Sequence, residues 1–493
     1  MRAFASILLA CALVGCTAKP DYGLLARAEE GEYGRARGYL YNRGFDPSND
    51  RSDEALLDRS RFAIVTLADG LPRAADPTLD EIFDTLRTQG FNADREAVAV
   101  LLNEDLKRWK GEPFEQAMLY QYVAVGKAME GEWGNARAAT TEAIRLLDDF
   151  RRVEQEVNSS PSESGYVTSR VDVPLLYLTR GVAARALGRP DEAEDNFAEA
   201  ERQLPALAPV TRDLRTCNTV LIVDYGLGPE KLAGGPDGSQ LVFDPRMPSD
   251  DAPIVVRTSA GAESQAFWAA DLNDLSRWYT WNHLESLRVG KSIGGDALLF
   301  GGVIAASSDS EAAQWAGLGA MLAGVILKAG AHVDTRFCEL MPQRVYVVPL
   351  MVHAAGTTVT LEVPTDPASR ITLTDLDSPP DGERLQLRYV RLNSGRVAPG
   401  WATSGRVLYA NDRHDAPVAG GDLPYILGGR CVRTPTNDVL RDYQALGYLA
   451  GFTLAELEGL YRDEGISLEL AEQWPRPDLH VLEGGRSLVC PLA

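Results

Sequence analysis

Three stretches in the first half of the chain repeat one spacing of residues: Gly31-Glu32-Tyr33-Gly34-Arg35-Ala36, Gly131-Glu132-Trp133-Gly134-Asn135-Ala136 and Gly188-Arg189-Pro190-Asp191-Glu192-Ala193. Each sets a bulky or rigid residue two positions after a glycine, and an alanine three positions beyond that. Small residues at fixed offsets let two helices pack closely, so the pattern marks the turn and second helix of a helical pair. The three glycines stand 100 and 57 residues apart, which excludes a regular short-period array. Segments 52–69, 79–88 and 94–109 carry the helices that fill the intervals. Residues 158–164, polar and Ser-rich around Pro161, read as a loop.

The flanks extend the pattern. Tyr120, Val123 and Ala124 precede Gly131, and Ala143 follows it, with Thr140 in place of an aromatic residue. Tyr177, Gly181 and Ala184 precede Gly188, and Phe197, Ala200 and Pro205 follow. These positions resemble the tetratricopeptide repeat (TPR). The resemblance implies an irregular TPR-like helical domain over 16–215. It marks Tyr120, Gly131, Trp133, Ala136, Tyr177, Gly181, Gly188, Ala193 and Phe197 as the consensus residues of a partner-binding array.

The character changes at Cys217. Residues 219–224 form a β-rich run ending in Tyr225-Gly226, and a Gly-, Pro- and Asp-rich loop over 228–253 surrounds one strand at 240–243. With a strand at 254–257, this makes 216–264 a connecting segment. Residues 265–335 read as a small-residue-rich helical segment, amphipathic over 272–288. Its apolar run 316–331 is interrupted by Lys328 and too short to span a bilayer, so it reads as a buried helix pair. Five strands at 344–353, 357–363, 371–376, 385–392 and 406–410 suggest a small β-sandwich-like domain over 336–415. Its first two flank Ala354-Ala355-Gly356 as a hairpin. Helices at 439–449 and 454–462 make 416–493 a helical tail. The expected fold class is α+β.

The amino terminus sets an address. Met1-Arg2 precedes an apolar run from Phe4 to Ala12, too short to cross a bilayer, and Leu13-Val14-Gly15-Cys16 closes it. This resembles the lipobox of bacterial lipoproteins. The resemblance implies a leader over 1–15 and a mature chain beginning at an acylated Cys16. Thr17, where an Asp would mark retention at the inner membrane, implies the outer membrane, with the body facing the periplasm. Cys217, Cys338, Cys431 and Cys490 remain after Cys16. An even number in an oxidising compartment permits two disulfides in three connectivities, with buried free thiols as the other reading. The formal net charge of −21 argues against nucleic acid and against electrostatic docking on anionic lipid.

Two further elements, with the lipobox and the helices, resemble a poorly characterised family of bacterial outer-membrane TPR lipoproteins. One is Gly226-Leu227-Gly228-Pro229-Glu230-Lys231, a Gly-x-x-Pro-x-Lys element after a strand. The other is Asp334-Thr335-Arg336 followed by Pro342, within an Ala-Asp-x-Arg-x-Trp-x-x-Leu-Pro element. Here Val333, Cys338 and Met341 replace the Ala, Trp and Leu. No reaction is established for that family, so the resemblance implies location and architecture. Lys231 reads as a loop lysine. Asp334 and Arg336 read as structural, each pairing with a separate neighbour across a domain junction.

No constellation for chemistry emerges. Glu285 stands where Leu287-Arg288-Val289-Gly290-Lys291-Ser292 would need the first glycine of a phosphate-binding loop. His283, His332, His353, His414 and His480 form no HExxH pair, no serine sits in a G-x-S-x-G elbow, and no CxxC occurs. No metal, cofactor or catalytic residue is therefore expected. The expectation is a lipid-anchored envelope scaffold that binds a protein or peptide partner. A glycan- or peptidoglycan-directed envelope enzyme and a pore or secretion accessory stand as rivals.

Overall fold

The computed structural model describes residues 20–42, 45, 52–89, 109–147, 151–153, 166–168, 171–234, 240–247, 252–281, 333–353, 356–376, 378–379 and 385–394, with short strands between 425 and 490. The chain is mixed α+β, with helices first and several sheets after them.

Eight helices form four consecutive pairs: α1 (Tyr22–Glu29) with α2 (Tyr33–Asn42), α3 (Ala55–Ala68) with α4 (Pro72–Gln89), α5 (Pro113–Met129) with α6 (Trp133–Leu146), and α7 (Pro174–Ala186) with α8 (Pro190–Gln203). Each packs against the next along the chain. One turn closes all four pairs. Gly31, Gly70, Gly131 and Gly188 have φ of 74°, 72°, 79° and 71°, a region closed to most side chains. Each glycine N–H donates to the carbonyl three residues back: Ala28, Leu67, Ala128 and Arg185. The residue after each glycine donates five back, to Arg27, Thr66, Lys127 and Ala184, which completes the same C-cap four times. Ala36, Ala75, Ala136 and Ala193 follow at one shared offset, all buried.

The two helices of a pair differ in burial. The first helices α3, α5 and α7 are buried nearly all round, as their Ala-, Leu-, Val- and Tyr-rich sequences require. The second helices α4, α6 and α8 bury one stripe and expose the opposite face. Something therefore covers the first helices on the side away from their partners.

That cover is a sheet. After α9 (Ala208–Leu214), β3 (Thr219–Tyr225) runs through the middle of a four-stranded mixed sheet of order β13-β3-β10-β8. Its other members are β8 (Trp268–Asp271), β10 (Arg344–Leu350) and β13 (Gln386–Leu392). All seven residues of β3 are buried, consistent with a continuous apolar run covered on both faces. β13 pairs with β3 in parallel, from Gln386↔Thr219 to Leu392↔Tyr225, and β10 pairs antiparallel on the other side. Helices α3 and α5 pack on β13, and α7 packs on β8 and β10. A second, antiparallel sheet has the order β12-β11-β6-β7, from β6 (Ile254–Thr258), β7 (Glu263–Ala266), β11 (Thr357–Val363) and β12 (Asp366–Leu376). Strands β4 (Glu230–Gly234) and β5 (Gln240–Asp244) form a separate hairpin. Short strands β1 (Arg151–Val153), β2 (Tyr166–Thr168) and β9 (Tyr279–Thr280) join in a small sheet, β9 following directly on α10 (Leu272–Trp278).

Several expectations are corrected. Segment 216–264 is no connector, because it supplies the central strand β3 and also β6 and β7 to the same sheets that 344–392 completes. Residues 265–266 and 268–271 are strand, and the helix that follows ends at Trp278. The strands flanking Ala354-Ala355-Gly356 are not a hairpin: β10 pairs with β3 and β8, and β11 pairs with β6 and β12. In the tail, the described residues are strands: β14 (Tyr425–Leu427) with β15 (Arg430–Arg433), and β16 (Ser467–Leu470), β17 (Leu479–Glu483) and β18 (Arg486–Cys490) together. The helices expected at 439–449 and 454–462, the loop 158–164, the strand 406–410 and the apolar run 316–331 lie outside the described residues, as does Cys16.

Candidate functional site at the junction of helices and sheet

The two loop elements singled out in the sequence meet in space. Gly228 N–H donates to the carbonyl of Met341 at 2.8 Å. A Cβ at Gly228 would stand 2.7 Å from the Pro342 carbonyl oxygen, so only glycine permits this approach without moving backbone. Arg246 ties the two together, donating to the carbonyls of Gly228 at 2.6 Å and Glu339 at 2.9 Å. Burial pushes the Arg246 guanidinium down to about 10, against the pull of Glu339, Glu29 and Glu230. Pro229 continues the chain from this crossing into β4, and Gly226 turns it with φ of 67°.

Helices add the other half. Arg61 of α3 donates from Nε and Nη2 to Glu339 Oε2 at 3.1 and 2.9 Å, and both side chains are buried. Trp109 Nε1 donates to the Arg336 carbonyl at 2.9 Å. Lys231 is not a loop lysine. It lies on β4, buried, with its ammonium on Glu115 Oε2 of α5 and 3.8 Å from Glu112 Oε1. Burial opposes its charge, but those two carboxylates outweigh burial and hold its pKa above the ordinary lysine value. Asp334 and Arg336 pair with each other: Nε donates to Oδ1 at 3.0 Å and Nη2 to Oδ2 at 2.8 Å. The expectation of separate partners is corrected: the Arg336 N–H also donates to Asp334 Oδ1 at 3.0 Å, so the aspartate closes a local turn onto its own arginine.

Beside this crossing lies a second buried cluster. Tyr122 of α5 and Tyr389 of β13 both donate to Oδ2 of Asp224 on β3, at 2.6 and 2.7 Å. Asp224 is 1% exposed, and burial lifts its carboxyl to about 6, although both tyrosines and Arg391 favour the anion. Arg391 of β13 donates to the Leu340 carbonyl at 2.6 Å. Asn393 Nδ2 donates to the carbonyls of Ala28 and Glu29 at the end of α1, at 3.1 and 2.6 Å. Tyr122, Asp224, Tyr389 and Arg391 are all buried, so the cluster offers cohesion between helices and sheet.

The TPR-like consensus residues hold the helices together. Gly131 and Gly188 are turn residues, and Ala136 and Ala193 are buried. A Cβ at Gly181 would stand 2.6 Å from the Phe197 ring, which fills the space left by the missing side chain. Tyr120 packs edge-on to Phe83 of α4 at 5.7 Å, Tyr177 is buried beneath Arg180, and Trp133 is partly buried against the core. Tyr120, Tyr177 and Phe197 are thus buried within the helical stack, and Trp133 is so in part. Cys217 and Cys338 are free, buried thiols, which removes a disulfide between them. Cys431 and Cys490 lie on β15 and β18. Among the described residues no three of His, Cys, Asp and Glu converge as metal ligands, and no helix is long and apolar enough to cross a membrane.

No family model, curated protein or solved structure matches this sequence.

Proposed function

We propose that this protein is a lipid-anchored scaffold of the bacterial cell envelope. It is tethered through Cys16 to the outer membrane, faces the periplasm, and contacts a protein or peptide partner through TPR-like helices. The anchor rests on the lipobox-like Leu13-Val14-Gly15-Cys16. The observation that carries the scaffold reading is the fourfold glycine turn with its buried alanine, which builds one continuous stack of helical pairs.

The chain's own sheet packs on the first helices α3, α5 and α7, so in this reading the binding face is the outward side of the second helices. The outward faces of α4, α6 and α8 remain, with Asp80, Arg87, Thr141, Arg145, Glu194 and Arg202 exposed. These faces are polar, as suits a transient or regulated contact. The sheets act as a sandwich-like buttress, and no reaction is assigned to them.

Labelled palmitate and site-specific photocrosslinking in intact envelopes test the reading. Label should enter the native chain and not Cys16→Ser. A photoreactive residue at Thr141 should capture one defined protein in stoichiometric yield, and one at the buried Val123 should capture none. An unlabelled native chain, or no capture from α4, α6 or α8, contradicts it.

A further inference from the structure

We propose that the outward side of the β4–β5 hairpin, which carries Leu232 and Val242, rests on the lipid bilayer that holds the anchor. The proposal deepens the anchored reading and rests on it.

The tether is short. Only residues 17–19 separate Cys16 from Pro20, which is buried. Asp21 then caps α1, its Oδ1 accepting from the Leu24 N–H at 3.1 Å. Four residues of extended chain reach at most about 14 Å. The protein surface around Pro20 is thereby held against the headgroups and has no long linker on which to stand off.

The hairpin belongs to that neighbourhood. The phenol of Tyr22 feels the charges of Glu230, the first residue of β4, and of Arg246, which clasps the loop leading into β4. The hairpin's two sides differ. Lys231 and Phe243 pair across the strands and face inward, Lys231 onto Glu112 and Glu115, and Phe243 onto Phe114 with ring centroids 5.4 Å apart. The next pair, Leu232 and Val242, faces outward at 40% and 45% exposed. Among the described residues four large apolar side chains are this exposed, and two of them sit directly opposite each other here.

One such pair binds lipid weakly on its own. A covalent anchor turns its contact into an intramolecular one at high effective concentration, and weak apolar contacts then suffice. The contact is apolar, not electrostatic. Glu230 and Asp244 pair at the hairpin's base, and the chain's net charge of −21 repels anionic headgroups. Docking accordingly needs no anionic lipid and is not weakened by salt.

The test uses the full-length acylated protein in vesicles of phosphatidylethanolamine and phosphatidylglycerol. Val242 is replaced by the photoreactive benzoylphenylalanine, and in a second sample Leu187, at the turn of the fourth helical pair, is replaced instead. After irradiation, mass spectrometry reads phospholipid adducts at each site and the mass of the amino-terminal peptide. Phospholipid adducts at 242 at least about tenfold above those at 187, and not lowered by salt, are expected. Equal or absent adducts at 242 on a chain with an acylated terminus overturn the docking and leave the anchor standing. Protein adducts at 242 in place of lipid overturn the assigned occupant. An unacylated terminus overturns the anchor and the docking together.

Discussion

The Tyr122 hydroxyl on α5 donates to Oδ2 of Asp224 on β3 at 2.6 Å, so a buried carboxylate joins the helical pairs to the sheet. The Tyr389 hydroxyl reaches the same oxygen from β13 at 2.7 Å. One acidic side chain thus receives donors from a helix and from a neighbouring strand, at a place from which water is excluded.

That carboxylate gives folding a pH dependence. Asp224 titrates at about 6 in the folded chain, raised by burial, whereas an unfolded Asp titrates near about 3.9. The native state holds the proton more tightly. The stabilisation is therefore full below about pH 4 and is lost as pH rises through about 6. Asp69, also lifted to about 6 by burial beside Arg37, adds in the same direction. Replacing Asp224→Asn keeps the shape and removes its titration. Between pH 4 and 7.5, chemical denaturation should show the wild type losing on the order of 2–3 kcal/mol more than the variant. Parallel pH profiles would contradict this.

The glycine turns predict unequal costs for similar substitutions. Gly70→Ala forces a side chain into φ of 72°, at a cost of about 1 kcal/mol. Gly181→Ala drives a methyl group into the Phe197 ring at 2.6 Å and should cost about 1–3 kcal/mol. Adding Phe197→Leu to Gly181→Ala should recover part of the loss, and no second-site change at Phe197 should rescue Gly70→Ala. Melting temperatures of the four variants decide the matter.

Arg61 and Glu339 form a buried ion pair between α3 and the Asp334–Pro342 element. Removing one partner strands the other, so Arg61→Met or Glu339→Leu alone should destabilise by about 3–5 kcal/mol. The double variant should cost clearly less than the sum of the two. A double-mutant cycle by chemical denaturation measures the coupling, and additive losses would show that the contact carries no energy.

The two buried thiols should be silent in the native chain. Burial pushes Cys338 up to about 12 and also raises Cys217. Iodoacetamide followed by peptide mass mapping should leave both unmodified at pH 8 and modify both in denaturant. Labelling of either in the folded protein at the rate of a free peptide would contradict the packing.

The helical pairs were legible because their signal is local. A glycine turn and an alanine at a fixed offset specify a close helical crossing within a few residues of chain. The turn at Gly70 carries the same signal: Pro72 stands two residues on, as Pro190 follows Gly188, and Ala75 holds the alanine position. The strand 219–224 was legible too, but its partners were not. An alternating or apolar run states that a strand is covered and does not state which strand lies beside it. The parallel pairing of β13 with β3 joins residues 167 apart in sequence at Gln386 and Thr219, so it was invisible to local pattern.

Charges misled in a related way. Lys231 sits in a stretch so rich in Gly and Pro that a loop was the natural inference, yet β5 closes on it as a hairpin and α5 supplies its two carboxylates. Only proximity of α5 to β4, a tertiary fact, makes that lysine buried.

The central claim is that the sheet covers the first helices α3, α5 and α7 and leaves the second helices α4, α6 and α8 facing outward. Site-resolved hydrogen exchange with mass spectrometry tests it most directly. Peptides over 55–68, 113–129 and 174–186 should share the slow exchange of 219–225, 344–350 and 386–392, and should lose protection with them in one step as denaturant rises. The outward flanks of 133–146 and 190–203 should open earlier. Early, independent exchange of 113–129 while 219–225 stays protected would show that the helices stand apart from the sheet.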